Sequence, residues 1–421
     1  MDDLERLHRR ARERRANPII YGVVRVLFQA FFLTYFRMRR IGREHIPRRG
    51  PVIIASNHRS FLDPFVIACM ARRPMYYVAK QEIFAYSRAL SWLLAAVGAF
   101  PVRRDAGDAE FITTATAILR RGDIVLIFPE GTRTRPGPLG RPRRGFARLA
   151  LETGAPIVPV AVIGTEAVRR GWRIRPHRVA IRAGRALAFP RVAHPSPRLA
   201  AAVADRVWPC VMLQWEALGG APPPRRAAIL GAGTAGTALA VSLARAGLEV
   251  QLAVPDEARA AAIAMERENA DALPGVAIPH GVDVLAGAGF SPAGMDLLIV
   301  DGSDDQAADM LEARLAATEP GPGCGLAILY CGAPAPDGLR AAAVERAPGR
   351  ALATIGVQAE PAALAHPGAR VSVACPDRVL ARALEVVLAR AGLEVRVARD
   401  GVRRERAAER RPVGAAAARI G

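Results

Sequence analysis

His58 and Asp63 stand five positions apart in "SNHRSFLDP" (56–64), directly after the apolar run Pro51–Ala55. A neutral histidine near physiological pH is a natural general base. An aspartate bonded to its other ring nitrogen fixes the tautomer and stabilises the imidazolium, as in serine hydrolase triads. The same residues permit a plainer arrangement, with His58 a capped loop histidine and Asp63 a helix N-cap before Pro64. Three further segments place polar residues at the ends of apolar runs. "GAFPVRRD" (98–105) carries Arg103 and Arg104, and "IFPEGTRT" (127–134) carries Glu130, Gly131, Thr132 and Arg133. "APIVPVAVIG" (155–164) reads as a buried strand broken by Pro159. Arginine's planar fork suits phosphate.

These segments need elements to hold them. Strand-like runs at Val52–Ala55, Met75–Ala79, Ile124–Phe128, Ile157–Ile163 and Val179–Arg182 alternate with helix-like runs at Phe84–Val97, Ala109–Arg120 and Gly145–Thr153. That alternation predicts an α/β domain over 41–218. Ahead of it, 3–15 read as a basic helix, and 19–36 are apolar apart from Arg25, Gln29 and Thr34. The apolar stretch is near the shortest that spans a bilayer, and Arg25 near its middle disfavours a span. With flanking arginines, 1–40 predict helices lying in the interface of an anionic membrane; the alternative is a buried core helix. "GGAPPPRR" (219–226) reads as a linker. A second α/β alternation fills 227–400, with strands expected at Leu297–Val300, Leu326–Tyr330, Leu352–Ile355, Val371–Ala374 and Val395–Ala398. Residues 401–421 read as a low-complexity tail.

Charge separates the halves. Residues 1–218 hold 38 Lys+Arg against 16 Asp+Glu, a net of +22, whereas 219–421 net −2. A positive field of that size attracts nucleic acid, anionic lipid or a phosphorylated substrate. No nucleic-acid module accompanies it, so a nucleic acid is not the expected partner. Neither the five cysteines nor the seven histidines show metal-ligand spacing. A reduced, cytosol-facing protein is expected, and Asp2 and Asp3 at the start argue against a secretory leader. Lys80 is the single lysine among 59 basic residues.

In order and spacing, the segments around His58, Arg104, Glu130–Arg133 and Pro159, with "YYVAKQEIF" around Lys80, resemble the four motif blocks of the lysophospholipid acyltransferase family. The likeness is to bacterial 1-acylglycerol-3-phosphate acyltransferases and runs from about Tyr21 to Gln214. It implies acyl transfer from acyl-CoA or an acyl carrier protein to the free hydroxyl of 1-acylglycerol-3-phosphate, making phosphatidic acid for phospholipid biosynthesis. Alternative acceptors are another lysolipid or glycerol-3-phosphate. The resemblance assigns His58 as base and Asp63 as its orienter, with no serine nucleophile, since the attacking hydroxyl is the substrate's. It places Arg133 and Arg104 on the glycerol phosphate. Lys80 is a third candidate contact, and Glu130, Gly131 and Thr132 belong to the substrate-binding segment. Glu130 is also readable as a structural partner of nearby arginines. Arg103 departs from the acidic or neutral residue common at that position. No cofactor or metal is implied for the transfer. The expected place is the cytoplasmic face of the cell membrane, peripheral or monotopic, in contact with phospholipid and lysolipid.

"GAGTAG" (231–236) follows an apolar strand and opens a helix, with Gly231, Gly233 and Gly236 allowing a tight turn and pyrophosphate approach. With 249–279 it resembles the N-terminal cofactor domain of NAD(P)-dependent glycerol-3-phosphate dehydrogenase, a Rossmann-like parallel sheet. Where an acid for the ribose is expected, 250–255 read Val-Gln-Leu-Ala-Val-Pro, and Asp256 comes late. The family's catalytic helical domain and its lysines are not expected here. NAD(P) binding stays open, as does a bifunctional protein with nucleotide-dependent activity in this half.

Overall fold

Three consecutive prolines, Pro222–Pro224, disfavour helix, and the computed structural model divides the chain there into two units, Met1–Pro222 and Pro223–Gly421. The structure describes all residues except 1–2, 103–108, 135–136, 171–172, 303, 319, 321–323, 332–351, 359 and 399–421. Arg103, Arg104 and the whole 401–421 segment therefore lie outside the described residues.

The first unit contains strands β1 (Arg39–Ile41), β2 (Val52–Ser56), β3 (Met75–Lys80), β4 (Ala99–Val102), β5 (Ile124–Ile127), β6 (Ile157–Ile163), β7 (Arg169–Arg170), β8 (Arg173–Ile174) and β9 (Ala180–Ala183). Its helices are α1 (Asp3–Glu13), α2 (Pro18–Thr34), α3 (Asp63–Ala68), α4 (Gln81–Ala85), α5 (Arg88–Ala96), α6 (Ala109–Arg120), α7 (Gly145–Thr153) and α8 (Pro197–Glu216). Seven strands form one sheet in the order β1-β9-β6-β2-β5-β3-β4, parallel throughout except at β6–β9. The central strands β2 and β5 are buried at every position, as strands covered on both faces must be. Because neighbouring side chains point to opposite faces, Ile53, Val125 and Ile157 join one apolar layer. Ile54, Leu126 and Val158 join the other.

Two expectations change. The helix expected over Phe84–Val97 is two helices, because the Ser87 hydroxyl accepts from the Leu90 amide and starts α5 afresh. The basic helix α1 is docked rather than free: His8 is buried and its Nδ1 lies 2.9 Å from Thr114 Oγ1 on α6. α2 begins where the Asn17 side chain accepts from the amides of Ile19 and Ile20, and it buries only Tyr21 and Phe32 within its length. Among the described residues no single helix is long and apolar enough to cross a membrane; α1 and α2 pass that test only together, bent by 97°.

The second unit contains β10 (Arg226–Leu230), β11 (Glu249–Val254), β12 (Val282–Ala286), β13 (Leu297–Asp301), β14 (Gly325–Cys331), β15 (Leu352–Val357), β16 (Arg370–Ala374) and β17 (Glu394–Val397). The helices are α9 (Thr234–Arg245), α10 (Glu257–Glu266), α11 (Asp305–Ala317) and α12 (Arg378–Arg390). Sheet order is β12-β11-β10-β13-β14-β15-β16-β17, so the order reverses between β10 and β13. That reversal is the doubly wound pattern whose switch point opens beside the first strand. The sheet is not wholly parallel, since β16 runs antiparallel to β15. Arg226, expected in the linker, is the first residue of β10.

Candidate active site

The chain leaves β2 into the His58 loop, β5 into the Glu130–Arg133 loop and β6 into Thr165, so one edge of the first sheet gathers all three. Asn57 anchors the first loop by pairing with β6: its Nδ2 donates to Val162 O and its Oδ1 accepts from Val162 N, both at 2.9 Å. His58 Nδ1 lies 2.8 Å from Asp63 Oδ2. Asp63 is fully buried and does not cap its own helix. It accepts from the Arg59 amide at 2.6 Å, the Ser60 amide at 2.7 Å and the Thr165 hydroxyl at 2.5 Å. An ionised Asp63 can only accept, so Nδ1 carries the ring proton and Nε2 presents its lone pair. The imidazole also stacks on Phe128, with ring centres 3.9 Å apart and planes 16° from parallel.

Glu130 faces the main chain. Its Oε2 accepts from the His58 amide at 3.1 Å and its Oε1 from the Gly140 amide at 2.9 Å. This carboxylate ties two loops together, and it is not among the residues on the cavity wall. Thr134 completes the tie, its amide donating to His58 O at 2.9 Å. Gly131 has φ 71°, and a Cβ there would stand 2.6 Å from Arg143 Nε. Only glycine leaves that arginine room. Arg59 crosses behind, its guanidinium 4.9 Å from the Trp215 ring centre while it donates to Gly137 O and Pro138 O.

His58 opens on a cavity of about 790 Å³. Its lining includes Gly131, Thr132, Arg133 and Arg143, and also the apolar or aromatic Phe65, Tyr77, Leu90, Leu94, Phe111 and Phe146. The structure thus brings His58, Asp63, Gly131, Thr132 and Arg133 together. Lys80 closes β3, and its side chain lies outside the described residues, as does Arg104. Sequence reasoning missed Thr165, whose hydroxyl has no spacing signal, and Arg143, one of many arginines in an arginine-rich chain. Among the described residues no group of three or more His, Cys, Asp or Glu side chains could hold a metal ion.

In the second unit Gly231 has φ 99°, Gly233 caps α9, and a Cβ on Gly236 would meet Gly231 O at 2.6 Å. The turn therefore has the shape expected of it. Its charge does not suit a dinucleotide. Buried Asp301 accepts from the Gly236 amide at 2.8 Å, and Asp304 accepts from the Ala232 amide at 3.2 Å. Two carboxylates thus stand at the helix start where a pyrophosphate would need positive potential. At the ribose end, β11 finishes at Val254, Pro255 follows it, and Asp256 is taken up capping α10 through the Arg259 amide. The residues present do not fit NAD(P).

Residues 37–163 match the acyltransferase family model. Residues 226–301 match the model of the NAD-dependent glycerol-3-phosphate dehydrogenase N-terminus. The chain joins a domain of each kind. It is 30% identical over 127 residues to the chloroplastic 1-acyl-sn-glycerol-3-phosphate acyltransferase BAT2 of Brassica napus, covering 30% of this chain and 36% of that one. With the 1-acyl-sn-glycerol-3-phosphate acyltransferase of Borreliella burgdorferi it shares 33% over 128 residues, 30% of this chain and 50% of the relative. It therefore spans between about a third and a half of these relatives' lengths. A solved structure, the 1-acyl-sn-glycerophosphate acyltransferase PlsC of Thermotoga maritima, is 22% identical over 51% of this chain and 88% of its own, with a TM-score of 0.39.

Proposed function

We propose that the first unit transfers an acyl group from a thioester to the free hydroxyl of 1-acylglycerol-3-phosphate, giving phosphatidic acid and a free thiol. The observation that carries this is the His58–Asp63 pair opening on a cavity lined by Arg133, Arg143 and many apolar side chains. His58 Nε2 takes the hydroxyl proton as the oxygen attacks the thioester carbonyl. The C–S bond breaks as the tetrahedral intermediate collapses, and the imidazolium returns the proton to the departing thiolate. Asp63, held by three further donors, keeps the ring in the required tautomer. Arg133 grips the acceptor's phosphate. The apolar walls take an acyl chain.

The thioester is acyl-CoA or an acyl carrier protein, and the working place is the cytoplasmic face of a membrane, held peripherally. Support for the latter comes from α2, on which Ile19, Val23, Val26 and Leu27 are each more than half exposed, together with the +22 charge of residues 1–218. The test is a panel of lysolipids and glycerol-3-phosphate, each offered with both donors to the purified full chain. Transfer to lysophosphatidate above all other acceptors supports the reading. Equal rates with an uncharged lysolipid refute the phosphate's role.

A further inference from the structure

A helix that is apolar all round belongs in a core or in lipid. α5, "RALSWLLAA", has only Arg88 and Ser91 as polar residues. Its inner side is accounted for, because Leu90 and Leu94 line the cavity. Its outer side is not, with Trp92 53% and Leu93 38% exposed. The turn before it adds Tyr86 at 85% exposure, and α4 adds Ile83 at the cavity's edge. Phe84, between them, points inward and is buried.

We propose that the outer face of α4 and α5 is a lipid-contacting surface that rests on an anionic bilayer directly over the cavity wall formed by Leu90 and Leu94. It deepens the acyl-transfer reading and rests on it for the cavity's content. Three observations select lipid as the occupant. Trp and Tyr together favour the membrane interface, where an apolar ring body and a polar edge are both satisfied. The Asn17 amide donates to Ala96 O at 3.1 Å, so the start of α2 joins the end of α5, and the exposed face of α2 begins two residues later at Ile19. The two apolar surfaces adjoin. The net charge of +22 on residues 1–218 attracts an anionic surface and repels a second copy of itself. An acidic carrier protein would need basic residues to hold, whereas α4 and α5 together contain one arginine, Arg88, and one acid, Glu82. The consequence is a short path: a lysolipid's acyl chain passes between α4 and α5 from bilayer to cavity without crossing water.

The experiment uses the full chain and vesicles of phosphatidylglycerol and phosphatidylethanolamine with brominated acyl chains, which quench tryptophan on contact. Of the four tryptophans, Trp208 and Trp215 are buried and Trp172 lies outside the described residues, so the parent carries Trp172→Phe. Quenching is expected in that parent and largely lost when Trp92→Phe is added. Equal quenching in both overturns the proposal. In a Tyr86→Gln/Trp92→Gln/Leu93→Gln variant, vesicle affinity should fall at least about tenfold as the buried apolar area is lost. Its rate on a short-chain, monomeric acceptor should hold. Unchanged vesicle affinity overturns the lipid assignment. Should transfer from carrier protein alone fail in that variant, or a concentration-dependent dimer be lost, the surface belongs to that partner instead. A wild type that quenches but transfers no acyl group sinks the function proposed above while leaving the lipid contact standing.

Discussion

Four donors converge on the Asp63 carboxylate: His58 Nδ1, two amides and the Thr165 hydroxyl. His58→Ala removes the base, and the rate should fall by roughly 10²–10⁴; near-normal turnover would sink the assignment. Thr165→Val leaves one buried oxygen of Asp63 without its hydroxyl donor. An unmade buried hydrogen bond is worth about 1–3 kcal/mol. The expectation is kcat lower by about tenfold with both KM values held, and recovery in Thr165→Ser; parallel loss in the serine variant would mark Thr165 as packing only. Arg133→Ala should raise KM for the phosphorylated acceptor far more than for the thioester, whereas equal rises would place Arg133 on the donor. His58 and Asp63 were legible because their partnership is local, five positions in one loop. Thr165 was not, since its bond to Asp63 joins residues 102 positions apart. Glu130 was legible as a residue but not in direction: both oxygens turn to main-chain amides, which only the folding of two loops decides.

At the scale of elements, the alternation of apolar runs announced most strands of both sheets. It missed β1 and β12, which are only half-buried and lack a continuous apolar run. It also ran α4 and α5 together, because a serine cap inside an apolar stretch leaves little mark on periodicity. α1 was expected to lie on a membrane, but the tertiary fold claims one side of it. Burial, against the opposing pull of Glu110 and with some help from Arg12, lowers the pKa of His8 below 6.5. The folded state thus binds that proton less readily than the unfolded one. Stability from a neutral His8 is complete above the unfolded value and declines as pH drops below about 6.5. Urea midpoints at pH 7.5 and 5.5 should show a larger acid loss in the wild type than in His8→Gln; equal losses would contradict the docking. Deleting 1–40 would take the buried Tyr21, Phe32 and Phe36 out of the core, so membrane attachment is better tested by Val23→Gln/Val26→Gln/Leu27→Gln. That variant should leave vesicles while keeping the wild-type melting temperature. Retention on vesicles would refute α2 as an anchor.

For the whole molecule, the charge division into +22 and −2 follows the two units. Vesicle binding should weaken with salt, because screening acts on the basic unit's attraction to anionic lipid. The second unit keeps the glycine turn but carries Asp301 and Asp304 beside it, and residues 219–421 contain no lysine to hold and protonate a reacting carbonyl. Arginine does not replace it, as its pKa lies far above the working range. We expect no NAD(P)H turnover with dihydroxyacetone phosphate and no saturable heat on titration with NADH or NADPH. Turnover that disappears on Gly233 substitution would overturn that. The glycine turn was visible in six residues, while the carboxylates facing it come from β13 and the start of α11, some 65 positions on. The central claim remains the chemistry of the first unit. Its most direct test is phosphatidate formation by the purified full chain from 1-acylglycerol-3-phosphate and an acyl thioester, followed together with thiol release in wild type and His58→Ala. Phosphatidate and thiol appearing in equal amounts, and both lost with His58, is the result expected. Thiol release without phosphatidate, or an unchanged rate in His58→Ala, would contradict it.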